Sequence, residues 1–298
     1  MPGADADADA DGTERADGTD TDTDADTADD AGAADGEAVS RSRLLSDGLR
    51  LSISTLTIVR AGAPRADPAT VRVAMTAAPA VGLGVGAVAA GVAQLAHWLT
   101  GSPVIAAVVA VAAMAAQTRA LHLDGLADTA DGLGSNQPAE QALAVMKRSD
   151  VGPFGVVALV LVLAVQISAL AADYFVHRGA IALLAAGMTG RLAITAGCTR
   201  PVPAARPGGL GMWVAGSVRV PAAVLAGLAV TAACAALGLI VDPRTAVLAA
   251  AAVPLGVAAA LLLLARCVVR FGGITGDVLG ALVETAGSVA MLVLAVKL

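Results

Sequence analysis

Long runs without a charged side chain restrict what this chain can fold into more than any other feature. No Asp, Glu, Lys or Arg occurs between Arg72 and Arg119, and three further uncharged runs cover residues 151–172, 220–241 and 245–265. At about 1.5 Å per residue, helices of this length cross a hydrocarbon core of about 30 Å. With 57% apolar and only 15% charged residues, the chain also differs from ordinary water-soluble domains. The sequence therefore predicts an integral membrane protein.

The composition of these runs indicates helices. They are continuously apolar and rich in Ala and Leu, whereas strands of a membrane barrel alternate apolar and polar residues. Two further apolar runs carry one charge each, Arg191 and Glu284. We predict an all-α fold, a polytopic integral membrane helix bundle of about seven transmembrane helices, with six or eight left open. The predicted spans are 74–98, 103–118, 151–172, 180–198, 220–241, 245–265 and 278–296.

The first 40 residues differ from the rest of the chain. The net charge of −6 divides into −13 for residues 1–40 and +7 for residues 41–298. The N-terminal segment consists almost entirely of Ala, Asp, Thr and Gly, and it lacks the apolar side chains that would offset the entropy lost on ordering. We predict a disordered acidic tail over 1–40 and a membrane-embedded domain over 41–298.

The basic residues favour one face of the predicted membrane. If the residues before the first span are cytoplasmic, fourteen Lys and Arg residues lie on the cytoplasmic side and only Arg178, Arg244 and Lys297 lie on the other. Cytoplasmic loops of membrane proteins carry such an excess. We therefore expect a multi-pass protein of the cell membrane, inner or plasma, whose longer polar loops face the cytoplasm.

Three aspartates cluster in the longest loop between predicted spans, residues 119–150. If 121–133 is helical, Asp124, Asp128 and Asp131 lie at about 0°, 40° and −20° around the axis. Like charges at this spacing destabilise a helix, and a divalent cation would remove the repulsion. Carboxylates without soft ligands suit Mg²⁺ or Mn²⁺, and Mg²⁺ commonly takes one or two of them together with substrate phosphate oxygens. The acidic stripe is therefore a candidate metal and catalytic site.

Several polar residues near the stripe have two interpretations each. His122 lies about 160° from Asp124 on the same helix, which suits packing as well as a ligand or general base. Lys147 is either an interfacial anchor or a contact for phosphate oxygens. The connector that contains Gly209 and Gly211 either joins two helices or presents backbone N–H groups to an anion.

Charged residues within the predicted spans form a second group. Asp277 and Glu284 fall on one face of the last span, and Arg191 lies within another span. An ionised group at membrane depth costs about 2.5 to 3.5 kcal/mol and usually faces a partner or a polar cavity. We expect Arg191 and Glu284 to share a cavity, whereas the alternative is an unrelated structural partner for each.

Four motifs together resemble the cobalamin synthase family, the adenosylcobinamide-GDP ribazoletransferases, which are integral membrane enzymes. The motifs are His122-Leu-Asp-Gly-Leu-Ala-Asp-Thr-Ala-Asp-Gly132, the segment from Met146 to Gly155, the turn Gly208-Gly-Leu-Gly211, and Gly272-Gly-Ile-Thr-Gly-Asp-Val-Leu-Gly-Ala281 followed by Glu284. The resemblance extends from about residue 47 to the C-terminus and keeps the order of the motifs. The first and last motifs are the specific ones.

The resemblance implies a magnesium-dependent transfer of the adenosylcobinamide phosphate group. The donor would be adenosylcobinamide-GDP, the acceptor α-ribazole or its 5'-phosphate, and the products adenosylcobalamin or its 5'-phosphate together with GMP. Combining this reaction with the residue patterns above, we expect catalytic and metal roles for Asp124, Asp128 and Asp131 and a catalytic role for His122. We expect substrate contacts by Lys147, Arg191, Gly209, Gly211, Asp277 and Glu284. The partners are these substrates and the lipid bilayer; no nucleic-acid partner is expected, and a homo-oligomer is left open.

Two other functions are alternatives. CDP-alcohol phosphotransferases also use aligned aspartates at a membrane surface, but their Asp-Gly-x-x-Ala-Arg motif, aligned on Asp124 and Gly125, requires Ala and Arg where this chain has Asp128 and Thr129. A multi-pass transporter would use Arg191 and Glu284 as an intramembrane relay. Against a transporter, most of the charge lies at one face and no inverted repeat is evident.

Overall fold

The computed structural model describes residues 25–62, 66–148 and 150–297, with side chains from Ser40 onward. Within these ranges the chain forms α-helices and no β-strand, which confirms the all-α prediction. The helices are α1 (Ala25–Leu56), α2 (Pro68–Thr76), α3 (Ala78–Thr100), α4 (Pro103–Gln117), α5 (Leu121–Gly134), α6 (Ala139–Val145), α7 (Pro153–Phe175), α8 (Gly179–Gly197), α9 (Gly209–Val214), α10 (Val220–Leu239), α11 (Pro243–Phe271) and α12 (Gly276–Leu294).

The predicted boundary near residue 40 falls inside a helix. Residues 1–24 of the predicted tail lie outside the described residues, and α1 begins within that tail at Ala25. By compactness the chain divides into Met1–Arg43 and Leu44–Leu298. The second unit holds every predicted site residue, and the disorder of the tail stays a prediction.

Local sequence signals fix where the helices begin. Four helices begin with a proline, at a position where the backbone N–H has no acceptor within the helix, so its absence costs no hydrogen bond. These prolines are Pro68, Pro103, Pro153 and Pro243. Side chains cap three of these starts and also that of α12, since each accepts hydrogen bonds from first-turn N–H groups. The capping residues are Asp67, Ser102, Asp242 and Thr275.

The apolar runs become membrane-spanning helices. Among the described residues, six helices are long and apolar enough to span a bilayer, so the chain is a multi-pass membrane protein. These six, α3, α7, α8, α10, α11 and α12, coincide with six of the seven predicted spans. The seventh predicted span, 103–118, is α4, which joins α5 at an angle of 88°.

Helix α4 returns the chain to the face from which α3 starts. The Gln117 side chain at its end donates to the carbonyl oxygen of Val85, in the first half of α3, at 3.1 Å. Arg119 and Ala120 then adopt left-handed backbone conformations that turn the chain sharply into α5. With 14 residues, or about 21 Å, and three aspartates, α5 lies outside the spans along that face.

Helix α8 lies at the centre of the bundle, and nearly all of its residues are buried. It packs against α3 at very close range because both helices have glycine at the crossing. A Cβ added to Gly82 would lie 2.1 Å from the carbonyl oxygen of Gly187, and one added to Gly187 would lie 2.3 Å from that of Gly82. Contact between backbones replaces side-chain packing there, as small residues allow where two membrane helices cross.

The two ends of the bundle differ in what they carry. Helices α5, α6 and α9 gather with the first turns of α7 and α12 at one end, which we call the site face. At the opposite end Arg178 donates to the carbonyl oxygens of Leu294 and Val296, both at 3.3 Å. The few basic residues that the charge pattern separates from the rest therefore lie away from the site face.

Candidate functional site

The site begins with α5, which is helical over Leu121–Gly134 and confirms the predicted helix 121–133. Helix α5 packs against the start of α12 through two glycines. A Cβ added to Gly125 would lie 2.6 Å from the carbonyl oxygen of Asp277, and one added to Gly280 would lie 3.1 Å from the Cα of His122. The lack of side chains at this crossing brings the acidic stripe of α5 beside the first turn of α12.

This crossing creates a carboxylate group on two helices, which we call the acid group: Asp124, Asp128 and Asp277. Burial first, and then the negative charges of Asp124, Asp277 and Asp131, raise the pKa of Asp128 to about 7. Asp277 is held in place by the Thr275 hydroxyl, which donates to its Oδ2 at 3.1 Å. Repulsion between these carboxylates stabilises whatever positive charge binds among them.

Asp131 belongs to the same stripe but has a different environment. Only 6% of it is exposed, and its carboxylate accepts hydrogen bonds from the backbone N–H groups of Gly152 at 2.7 Å and Gly155 at 2.9 Å. It therefore caps the N-terminus of α7 from outside that helix. A Cβ on either glycine would approach an Asp131 oxygen to 2.4–2.5 Å, so the glycines of the Gly152–Gly155 motif make room for the carboxylate.

His122 is buried under α12, with 4% of its surface exposed. Desolvation first, and then the positive charge of Arg191, lower its pKa well below the usual value. Its Nε2 has no hydrogen-bond partner among the described residues. His122 is therefore a neutral imidazole, and it lines a cavity that it shares with Asp277.

Arg191 and Glu284 lie inside the bundle, below the acid group. The Gln166 amide donates to Glu284 Oε2 at 2.7 Å and to the Ser288 hydroxyl at 3.1 Å. Arg191 is buried, and its charge acts on both Glu284 and His122. Gln166 is thus the direct hydrogen-bond partner of Glu284, and the cavity that Arg191 and Glu284 are expected to share stays a prediction.

Two cavities lie at the site face, and Arg206 lines both of them. The larger cavity measures about 490 Å³, and its lining includes Glu140, Lys147 and Phe271. The smaller one measures about 220 Å³, and its lining includes His122 and Asp277. The structure therefore brings Lys147, a predicted phosphate contact, to the site face near the acid group.

Gly209 and Gly211 are glycine for two different structural reasons. Gly209 has φ +78° with open space around it, so its conformation rather than packing favours glycine. A Cβ on Gly211 would lie 2.6 Å from the carbonyl oxygen of Ile274, so this glycine lets α9 approach the start of α12. Both glycines thus shape the segment that carries Arg206.

The donor atoms of the acid group suit a hard divalent cation. Among the described residues, no three His, Cys, Asp or Glu side chains converge closely enough to hold an ion by themselves. Mg²⁺ commonly uses only one or two protein carboxylates and completes its shell with water and phosphate oxygens. Asp124 and Asp128, with hard oxygen atoms and mutual repulsion to relieve, therefore fit Mg²⁺ as the protein's share of such a shell.

Arg206 is the site residue that the sequence motifs do not single out. Its signal is weak, since it stands as one arginine before a Pro-Gly-Gly connector. Asp277 is predicted as a substrate contact, but nothing in the sequence pairs it with Asp124 and Asp128, which lie about 150 residues earlier. Tertiary packing alone makes them neighbours.

The comparisons with known proteins agree on one family. A family model described as cobalamin-5-phosphate synthase matches residues 48–295. Among curated proteins, the adenosylcobinamide-GDP ribazoletransferase of Frankia casuarinae is 42% identical over 237 residues, which cover 76% of this chain and 85% of the relative. The protein of the same name from a Nocardioides species is 39% identical over 256 residues, which cover 85% of this chain and all of the relative. No solved structure matches the chain.

Proposed function

Because the chain belongs to the cobalamin-5-phosphate synthase family, we propose that it is an adenosylcobinamide-GDP ribazoletransferase. It transfers the adenosylcobinamide phosphate group from adenosylcobinamide-GDP to α-ribazole or its 5'-phosphate and releases GMP. The products are adenosylcobalamin or its 5'-phosphate, formed in the last steps of cobalamin biosynthesis. The observation that carries this proposal is a pair of cavities that share Arg206, with Asp277 of the acid group lining the smaller one, which suits a reaction between two substrates.

Asp124 and Asp128 are the residues that would hold Mg²⁺. The repulsion that raises the pKa of Asp128 supports this assignment, because a bound cation relieves it. When bound, Mg²⁺ neutralises charge on the diphosphate and on the leaving phosphate. Asp131 has a positioning role, since both of its oxygens already accept N–H groups from α7.

The chain's own residues bind the substrates and move one proton. An oxygen of the acceptor attacks the cobinamide-side phosphorus of the diphosphate, a new P–O bond forms, and the bond to the bridging oxygen breaks. The bridging oxygen leaves with GMP and keeps the electron pair. Asp277, which lines the smaller cavity and is oriented by Thr275, takes the proton of the ribazole hydroxyl.

We assign the site face to the cytoplasm and the chain to the inner or plasma membrane. The excess of Lys and Arg in the loops at the site face supports this orientation. Both proposed substrates are water-soluble, so a cytoplasmic site gives them direct access. Cysteine-accessibility labelling from one side of sealed vesicles, with a single cysteine at Asp150, tests the orientation.

Release of GMP on mixing both substrates with the purified chain tests the proposed function. We expect GMP only when adenosylcobinamide-GDP, the ribazole acceptor and Mg²⁺ are all present, and we expect a chelator to stop it. No GMP from the folded protein with both substrates would refute the proposal. Movement of either substrate across vesicles without GMP formation would instead support the transporter alternative.

A further inference from the structure

Arg206 occupies an unusual position for an arginine at a membrane surface. It lines the larger and the smaller cavity at once, and its charge acts on Asp277 of the acid group. Its Nη1 is buried and has no hydrogen-bond partner among the described residues. A buried donor without a partner is destabilising, and more so when it is charged, so this nitrogen is suited to bind an acceptor supplied by a ligand.

The surrounding backbone holds Arg206 in this position. Ala205 donates its N–H to the carbonyl oxygen of Ile274 at 3.0 Å, and Ile274 donates back to that of Pro203 at 2.9 Å. These two bonds tie the segment before Arg206 to the start of α12. Pro207 follows and restricts the backbone on the other side. The backbone that carries Arg206 is thus held beside the start of α12, the helix that carries Asp277.

The larger cavity has the size and the charges of a nucleotide site. Its volume of about 490 Å³ lies within the usual range of ligand pockets, about 300 to 1,000 Å³, whereas the smaller cavity at about 220 Å³ lies below it. Lys147 and Arg206 supply positive charge, and Glu140 supplies a carboxylate. Glu140 lies in the first turn of α6, and Lys147 lies two residues beyond the end of that helix.

We propose that the larger cavity binds the guanosine nucleotide half of the donor. Arg206 and Lys147 bind the phosphate that leaves, and Glu140 accepts the N–H groups on the edge of the guanine base. This proposal rests on the proposed function, in which the reacting hydroxyl of the acceptor lies at Asp277. Arg206 then lies beside the bond that breaks, where it stabilises the negative charge that develops on the bridging oxygen of GMP.

Equilibrium binding of GMP, guanosine and AMP to the purified full chain tests this assignment without any turnover. For Arg206→Ala we expect the Kd for GMP to rise about tenfold or more while that for guanosine stays unchanged, because only the phosphate contact is lost. The Kd of Arg206→Lys for GMP should fall between that of the wild type and that of Arg206→Ala. If Arg206 had only a structural role, Arg206→Ala would raise the Kd for GMP and the Kd for guanosine alike, and that result would overturn the assignment.

The proposed contact between Glu140 and the guanine base is tested with Glu140→Gln. We expect the preference for GMP over AMP to fall about fivefold or more, with the Kd for AMP unchanged. Arg219→Ala and Asp150→Asn are matched controls, since both residues are exposed at the same face and line neither cavity. They should leave all three Kd values as in the wild type. Equal losses in the controls would contradict the proposal.

The same measurements separate this inference from the proposed function. Binding of GMP that depends on Arg206, without GMP release on mixing both substrates, would support the nucleotide site and refute the transferase reaction. GMP release from adenosylcobinamide-GDP with an unchanged KM in Arg206→Ala would support the reaction and overturn the nucleotide site.

Discussion

Asp128 and Asp131 are less than one helical turn apart on α5, and their surroundings are opposite. Asp128 faces other carboxylates, which together with burial raise its pKa to about 7. Asp131 faces two backbone N–H groups at the start of α7. The Asp128 carboxylate is thus left close to like charges, whereas both oxygens of Asp131 accept hydrogen bonds from the protein itself. The comparison separates residues available for chemistry from residues that hold helices together, although both look alike in the sequence.

The sharpest test of this contrast is Asp128→Asn. We expect GMP release to fall by at least about 100-fold, because the substitution removes a metal ligand at the reacting phosphate. The thermal midpoint in detergent should stay the same or rise, since a repulsive charge is lost. Asp150→Asn, at an exposed carboxylate paired with Arg148, is the matched control. A large drop in the midpoint for Asp128→Asn would contradict the contrast.

The complementary change is Asp131→Ala, which should act on stability. Two N–H groups of α7, one of them fully buried, lose their acceptor, and we expect a cost of about 2 to 3 kcal/mol. The thermal midpoint of the purified protein measures it. Asp131→Asn, which keeps one acceptor oxygen, should cost less. If Asp131→Ala melts like the wild type but loses GMP release, Asp131 belongs with the acid group after all.

Gly155→Ala tests the same contact from the side of α7. The added Cβ would lie 2.5 Å from Asp131 Oδ2 and 2.9 Å from the carbonyl oxygen of Ala127, so α5 and α7 must move apart. We expect a loss of about 1 to 2 kcal/mol, again read from the thermal midpoint. Gly91→Ala is the control, because nothing lies within 4 Å of a Cβ there. Equal midpoints for the two variants would contradict the close packing.

The smallest expected effect concerns pH. With a pKa of about 7, Asp128 is protonated below that pH and then cannot bind a cation. The Mg²⁺ concentration that gives half-maximal GMP release should therefore rise severalfold between pH 7.5 and pH 6. Asp131→Asn removes one of the charges that raise this pKa without removing a proposed metal ligand, so the rise should begin at lower pH in that variant. An identical pH dependence in both proteins would show that the two carboxylates do not interact.

The sequence predicts most of the membrane architecture because hydrophobic length is a local property. All seven predicted spans have a helix, and α5 lies within one residue of its predicted range. The stripe of Asp124, Asp128 and Asp131 follows from helical periodicity alone. The same periodicity gives all three residues the same candidate role, since it contains no information about the partner that each one meets.

The partners come from elements far apart in the chain. Gly125 and Gly280 allow α5 and α12 to touch, which adds Asp277 to the acid group. The start of α7 reaches Asp131, and the segment before α9 carries Arg206 between two cavities. No pattern within one segment predicts such encounters.

The amino-acid sequence by itself determined the spans, the helix of the acidic stripe and the excess of positive charge at one face. Each depends on side chains within one or two turns and on their transfer into lipid. Only the tertiary structure decided which carboxylates repel one another, which one caps a helix, and which arginine lines both cavities. Those properties depend on distances between separate helices, and the backbone contacts at glycine fix these distances.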